Sequence, residues 1–528
     1  MDAVGLMPAP SLDGNVMAFI KGNCRITREA YTGPAKRSIW FYRKNNNTYT
    51  KVTNFEGQEI YPDWGNGELY FLRAVNGRYN IFKLTVDAEK PIQLTDFKDE
   101  GIRFFDVSND GSKIVFERGM NIFTMDTQSQ KISPAVKIQV TQDYRFDPIE
   151  HKIFSNQATD FALSPNEKQI AFVVRGELFV KLNNKEKRRS VQLTDHPYRD
   201  KEPVWLNDST LLFVSDREGK FDLYALHSSD SKQGDLYKTF KHKIKRLTNA
   251  AADEERMVIS PDRKKVAYLR GRGVLVVADI SPQGNLTNEK IMLDSWTTPA
   301  GVSWSPDSKW LAYAASDLEF NREIYIHSIS GNGKPVNVSL HPRSDSSPKW
   351  SQDGSKLGFL STRNNGDTDV WFVWLKKEDW EKTNQDWDES DEDDEAPKKG
   401  KGKKDDKKKN KKVKPIQIDF EDIHERIEQV TRIAGNENNL MISKDGEIFY
   451  FSTNGGGRQG SPGPASFMSV KWNGEDVKTI LKRSDVSNLH MDKAGKHLYA
   501  IKRGGSLTKV KLEGGKQEGL RFLSLIHI

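Results

Sequence analysis

Cysteine is almost missing. Cys24 stands alone among 528 residues, so no intramolecular disulfide can form and the framework of a small secreted domain is excluded; a single thiol in such a chain is expected to be free and buried. No stretch approaches the ~20 apolar residues of a membrane span, and Met1 to Gly5 lack the basic start and apolar run of a signal peptide. Apolar residues make up 36%, below the usual ~45–50%, a benchmark that also counts glycine; many short strands with one exposed face, plus one very polar insertion, would account for the deficit. Familiar chemical signatures are missing too. There is no G-x-S-x-G elbow, phosphate-binding loop, C-x-x-C pair or calcium loop, and the ten histidines show no metal-ligand spacing on a predicted helix. No catalytic residue, metal ligand or cofactor site is assigned from sequence.

An excess of one charge is also lacking once the charges are placed. The net charge is +7, but residues 376–414 carry 14 Lys and 13 Asp or Glu, a net of +1, which leaves +6 for the rest. With no run that interleaves basic and aromatic residues on one face, nucleic acid is not an expected partner.

What the sequence does have is one returning phrase, plainest at Trp304-Ser305-Pro306-Asp307-Ser308-Lys309-Trp310-Leu311-Ala312-Tyr313. Pro fixes φ, the Asp side chain can accept from the backbone two residues on, and the following residues alternate at strand period, so the phrase predicts strand, turn and strand. Its turn positions recur at Asp13, Asn66, Asp110, Asn166, Asp208, Asp262, Asp307, Asp353, Asp445 and Asp492. A second phrase, such as Asp222-Leu223-Tyr224 or Glu323-Ile324-Tyr325, predicts the next strand. A third, Gln93-Leu94-Thr95, Gln192-Leu193-Thr194 or Arg246-Leu247-Thr248, closes several units. About four short strands per unit is the content of a propeller blade.

Three units fall at about 8–55, 60–96 and 102–140, with Trp40, Trp64, Phe82, Phe104 and Phe116 as expected core aromatics. Three blades cannot close a ring, and propellers have ~4–8, so residues 1–145 are expected to be the last three blades of a six-bladed ring and Met1 to be internal to a longer reading frame. The repeat lapses between Val140 and Thr159, where a domain boundary is expected. Seven units then occupy 155–514 as a complete seven-bladed propeller. Within them, 376–414 is a polyampholyte that cannot bury apolar area and is expected to be a disordered, solvated loop. Leu523-Ser524-Leu525-Ile526-His527-Ile528 matches the translated end of a transposon adapter used in preparing sequencing libraries, and is expected to be read-through.

Three local features invite chemistry. His424 beside Glu425 suggests an acid–base pair, but neighbours on a strand point apart and the helical H-E-x-x-H spacing is missing. Asp216-Arg217-Glu218-Gly219 and Asp367-Thr368-Asp369 suggest calcium, although turn chemistry explains both. Gly504-Gly505-Ser506 reads as a turn between strands. Ile416, Ile418 and Phe420 alternate as an edge strand would.

The Ser-Pro-Asp-Gly turns, with Ser215-Asp216-Arg217-Glu218-Gly219 and Asp222-Leu223-Tyr224, resemble the repeat of TolB-type propellers and tricorn-type proteases. The order of parts is more specific. Trp40-Phe41-Tyr42, Val52 to Gly57, Trp64 and Tyr70-Phe71-Leu72 are similar to later blades of the six-bladed ring of tricorn proteases. Phe161 to Pro165 with Val174 to Phe179, and Ile418 to Glu421, resemble blades of their seven-bladed ring. This resemblance implies an all-β fold of tandem β-propellers and a serine peptidase of family S41, whose rings guard and channel peptides to a core formed by later domains. The family's catalytic residues map onto no position here. Peptides or unfolded proteins are the implied partners, with homo-oligomers in the full-length protein; the compartment is left open, cell envelope or cytoplasm. The alternative is a TolB-like binding scaffold without peptidase activity. A prolyl oligopeptidase type would require a G-x-S-x-G domain, and two successive rings argue against it.

Overall fold

The computed structural model describes residues 5–86, 88, 90–139, 151–230, 232–239, 241–330, 333–364, 366–383, 386–387, 415–454 and 465–527. The boundary expected between Val140 and Thr159 lies largely outside these residues, as does most of the charged insertion.

The returning phrase folds as its chemistry dictates. At Ser305, the hydroxyl donates to Asp307 Oδ1 (2.7 Å) and accepts from Trp310 N–H (2.9 Å), while Ser308 N–H donates to Ser305 C=O (2.9 Å). Asp307 Oδ1 accepts from Lys309 N–H, two residues on, at 3.2 Å. The residue after the acid lies in the left-handed region, φ +69° at Gly14 and +77° at Gly354, which is why glycine recurs there. Glu167, Arg263 and Ser308 hold the same conformation without being glycine. Each spends its side chain or hydroxyl on a neighbouring blade: Glu167 accepts from Lys493 N–H, Arg263 donates to Trp205 C=O (2.6 Å), and Ser308 accepts from Asp262 N–H (3.1 Å).

The chain forms two compact units, one of residues 1–148 with 295–297 and 318–320, the other holding the remainder. The first contains three antiparallel sheets. Sheet A comprises Leu6–Pro10, Val16–Lys21, Ser38–Arg43 and Thr48–Lys51; sheet B, Glu59–Gly65, Glu68–Val75, Arg78–Thr85 and Ile92–Gln93; sheet C, Ile102–Val107, Lys113–Arg118 and Asn121–Asp126. Sheet C has three strands where four were expected; the fourth place holds the bridge Met125↔Ile132 and single bonds from Ser133 and Val136 N–H to Thr124 and Ile122 C=O, both 2.8 Å. Pro134, two residues past Ile132, has no N–H to give a ladder. Trp64, Phe82 and Phe116 are buried as expected. Phe104 is 50% exposed, because sheet C packs on sheet B through Ile102, Val107, Ile114, Phe116 and Met125, and Phe104 stands on the opposite face with Val115 and Ile122.

The second unit contains seven four-stranded antiparallel sheets, blades 1 to 7, whose strands follow in chain order from innermost to outermost. The innermost strands are Ala158–Leu163, Asp200–Asn207, Glu254–Ile259, Ala300–Trp304, Asp345–Trp350, Glu437–Ile442 and Val486–Met491. Each pair of successive blades encloses its own apolar layer. Blades 1 and 2 share Val180, Trp205 and Phe213, and blades 6 and 7 share Tyr450, Phe467 and Leu498. Blades 7 and 1 share Tyr499, Leu507, Phe161, Phe172 and Phe522, so the seven sheets close on themselves. The Trp of the returning phrase fastens one innermost strand to the one before it: the indole N–H of Trp205 donates to Ala162 C=O (3.1 Å), Trp304 to Val258 C=O (2.9 Å), and Trp350 to Ser303 C=O (3.3 Å).

Closure of blade 7 on blade 1 also uses the turn read as Gly504-Gly505-Ser506. The carbonyls of Gly504 and Gly505 accept from Gln157 and Ala158 N–H at 2.9 and 3.0 Å, and a Cβ on Gly505 would lie 2.3 Å from Gln157 Cα. Beyond blade 7, Ser524–His527 pairs its backbone with His151–Phe154, although the apolar closure rests on Leu520 and Phe522, ahead of the suspected read-through.

The start of the charged insertion is folded. Lys377–Trp380 forms a short helix, and Trp387 stacks on Trp374 with ring centroids 5.5 Å apart. Where it re-enters, Ile416, Ile418 and Phe420 pack against the blade 4–5 layer as an extended segment, not as the edge strand expected from their alternation. The outer position of blade 5 is filled by Ile427–Gln429, which pairs with Trp371 to Val373.

Candidate functional site

Seven innermost strands surround the centre of the ring, and each is interrupted by a bulge. Register shifts occur between Ala158 and Asp160, Lys201 and Val204, Glu255 and Val258, Ala300 and Ser303, Ser346 and Lys349, Asn438 and Met441, and Ser487 and His490. In blades 2 to 7 a bulged residue is left-handed: Glu202, Arg256, Gly301, Ser347, Asn439 and Asn488. A bulge re-aims side chains at a strand that is otherwise fixed by its ladder.

Here the bulges join the inner strands to one another. Asn439 Nδ2 donates to Val486 C=O and Asn488 Nδ2 to Thr159 C=O, both at 3.0 Å, and Glu202 Oε2 accepts from Arg256 N–H at 2.5 Å. Gly301 has no room for more than hydrogen, since a Cβ there would meet Pro348 Cδ at 3.0 Å and Ser347 Cα at 3.1 Å.

The result is a central cavity of about 720 Å³, lined by the ends of inner strands and their turns from blades 1 and 3 to 7. Met441 contributes an apolar surface; Lys349, His490, Lys444 and Asn488 contribute polar ones. Protein surrounding the lumen lowers the pKa of Lys349 and of His490, because burial disfavours the cation. On the inner strand of blade 1, burial first and Glu202 second raise the carboxyl of Asp160 to about 7. The cavity offers charge, hydrogen-bonding groups and a few apolar contacts.

Around the cavity lies a second set of polar groups. Where one blade meets the next, an acid opening a third strand, a hydroxyl closing the fourth, an acid opening the next inner strand and an arginine converge. Glu177, Thr194, Asp200 and Arg217 form one such node, with Thr194 Oγ1 donating to Glu177 Oε2 (2.8 Å) and Arg217 Nη2 to Asp200 Oδ1 (2.9 Å). Glu323, Ser339, Asp345 and Arg363 form another, with Arg363 Nη2 2.8 Å from Asp345 Oδ2. Glu254 pairs with Arg270 at 2.7 Å. Between blades 5 and 6 the acids are Asp369 and Glu437 and the hydroxyl is Thr431, but Glu437 faces Thr453 across the ladder where Glu254 faces Arg270. Burial, then the nearby Asp369, raises the pKa of Glu437.

The residues singled out from sequence find structural places. His424 and Glu425 sit in a single 3-10 turn, Ile423–Arg426, anchored by buried Arg426, which donates to Trp374 and Glu421 carbonyls at 3.3 and 2.9 Å. Gly219 N–H closes the Asp216 turn by donating to Asp216 C=O (2.8 Å), the Asp216 carboxylate accepts from Arg199 N–H (2.7 Å), and Asp369 is part of the node just described. Cys24 is 2% exposed, and burial raises its pKa. The cavity residues themselves were not identified from sequence. Among the described residues no group of three or more His, Cys, Asp or Glu could hold a metal, and no helix is long and apolar enough to cross a membrane.

Fold and cavity together define a β-propeller protein with one closed seven-bladed ring. The chain is similar to tricorn proteases. It is 23% identical over 346 residues to the tricorn protease homolog of Saccharolobus solfataricus, which covers 63% of this chain and 29% of the relative. It is 24% identical over 350 residues to the tricorn protease of Thermoplasma volcanium, covering 63% and 30%. The crystal structure of the tricorn protease superposes with a TM-score of 0.52 at 15% identity, over 97% of this chain and 48% of that one. No family model matches. The chain spans about a third of the length of the curated relatives it matches.

Proposed function

We propose that this chain is the non-catalytic propeller portion of a tricorn-like serine peptidase of family S41, which gates and channels peptides to a catalytic core supplied by other domains. The observation that carries the reading is the closed ring with a polar central cavity, in a chain similar to tricorn proteases. A lumen framed by seven fastened inner strands selects by width: an extended polypeptide enters and a folded one does not, without any bond being made or broken. The exposed apolar face of sheet C, with Phe104, Val115 and Ile122, supports the reading of residues 1–145 as part of a larger ring. Peptides or unfolded proteins are the ligands under this reading, and the full-length protein is an oligomer.

The test is binding without turnover. The purified chain should bind extended peptides, fail to bind the same sequence embedded in a folded protein, and cleave neither. Hydrolysis blocked by serine-directed reagents would place a catalytic site within this chain and overturn the proposal.

A further inference from the structure

The charges lining the central cavity are not balanced against one another. Four side chains there are basic: Arg263, Lys349, Lys444 and Lys493. Two are acidic, Glu167 and Asp492, and both are already engaged, Glu167 by the facing turn of blade 7 and Asp492 by its own turn. Glu167 accepts from Lys493 N–H. Asp492 accepts from Lys496 N–H (2.7 Å), His497 N–H (3.1 Å) and the His497 ring nitrogen Nδ1 (2.8 Å).

The three lysines, by contrast, have no ion-pair partner among the described residues, while Arg263 lies near the carboxylate of Asp208. The ammonium groups of Lys349, Lys444 and Lys493 make no ion pair or hydrogen bond among the described residues, and Arg263 donates to two carbonyls, of Trp205 and Leu206 at 2.6 and 3.2 Å. A cation in a concave, protein-walled space is attracted to an anion far more strongly than one on an open surface, because low-dielectric walls focus its field. Lys349 stands on the innermost strand of blade 5, solvent-accessible and yet walled by the ring. The two carboxylates in the lining already accept from backbone N–H groups and pair with none of the three lysines, so a ligand must bring its own.

We propose that the central cavity takes extended polypeptide segments rich in aspartate and glutamate, with Lys349, Lys444 and Lys493 as the residues that recognise their carboxylates. The inference rests on the channelling role argued above and adds the class of peptide. Selection for acidic segments arises because a basic segment would meet uncompensated like charge, and a neutral one would leave the ammonium groups unpaired.

Fluorescence anisotropy tests it with the whole chain and labelled peptides of equal length, one Asp/Glu-rich, one Ser/Gly-rich and one Lys-rich. The acidic peptide should bind about tenfold more tightly than the neutral one at low salt, and lose that advantage at high salt. The double variant Lys349→Glu/Lys444→Glu should abolish the preference while retaining the parent melting curve. Lys444→Glu alone, at an exposed turn, should reduce it in part should the double variant fold poorly. Equal binding of acidic and neutral peptides overturns this inference and leaves channelling intact. Failure of every peptide to bind overturns both. An oligothymidylate that binds more tightly than the acidic peptide, and is lost in the same variants, overturns the proposal in favour of a nucleic-acid ligand.

Discussion

Glu437→Gln should stabilise the protein at high pH, the reverse of what removing a buried acid does at the sibling nodes. Glu437 is fully buried, its Oε1 has no hydrogen-bond partner among the described residues, and its neighbour Asp369 is a second acid. Burial and that neighbour favour the protonated carboxyl in the folded state, so its folded pKa lies above its unfolded value. The stability it contributes is therefore complete below the unfolded pKa and is lost as pH rises through the folded one. Glutamine mimics the protonated form at every pH. Each unit of displacement is worth about 1.4 kcal/mol, and a buried polar atom left unpaired costs about 1–3 kcal/mol. The substitution is expected to be near neutral at pH 5 and to stabilise by about 1–3 kcal/mol at pH 8. Glu254→Gln, which takes the buried partner from Arg270 and leaves it the more exposed Glu289, is the control and should destabilise by about 1–3 kcal/mol throughout that range. Urea unfolding of both variants and the parent between pH 5 and 9 reads the difference. Destabilisation of Glu437→Gln at pH 8 by as much as Glu254→Gln would show that a cation already neutralises the node, and would refute the reasoning.

Ring closure gives two further expectations. Phe522→Ala, which removes a ring packed 4.5 Å from Phe172, should cost about 3–5 kcal/mol, whereas ending the chain after Phe522 should leave the urea midpoint unchanged; a large loss on truncation would make 523–528 structural. Gly505→Ala combines φ +82° with a Cβ 2.3 Å from Gln157 and should destabilise by about 2–3 kcal/mol, read in the same melts. Trp387→Ala should raise the solvent exposure of Trp374, whose ring it covers, and shift tryptophan emission to the red; an unchanged spectrum would mean the contact is not populated in solution.

What the sequence made legible was the chemistry that is local to it. Ser305, Asp307 and the left-handed residue behind them need only each other, so the hairpins and their number could be read from the returning phrase. The Trp that opens the phrase could be seen but not understood, because its partner carbonyl, Val258 for Trp304, belongs to a different blade. The same holds for the closing Thr of Gln192-Leu193-Thr194. It marked the unit's end, while its function is to cap Leu178 N–H at 2.9 Å and to bond Glu177 in a node shared with the next blade. The cavity was least legible. Its bulges at Asn439 and Asn488 are fixed by carbonyls of neighbouring inner strands, and nothing in the local pattern announces a left-handed asparagine inside a strand. Phe104 failed as a core residue because strand alternation identifies two faces and does not say which one another sheet will cover. Alternation also misassigned Ile416 to Phe420, where burial against blades 4 and 5 has strand period without a ladder.

The most direct test of channelling is to obstruct the lumen. Cys24 is buried, so a bulky maleimide should react with an introduced Asn488→Cys, which lines the cavity, and spare the native thiol. The labelled protein is predicted to lose extended-peptide binding while keeping the melting curve of the unlabelled Asn488→Cys variant, and an equal label on an outer strand, at Lys243→Cys, is predicted to change neither. Undiminished peptide binding with the lumen blocked would place the binding surface outside the ring, as a scaffold would have it, and contradict the account.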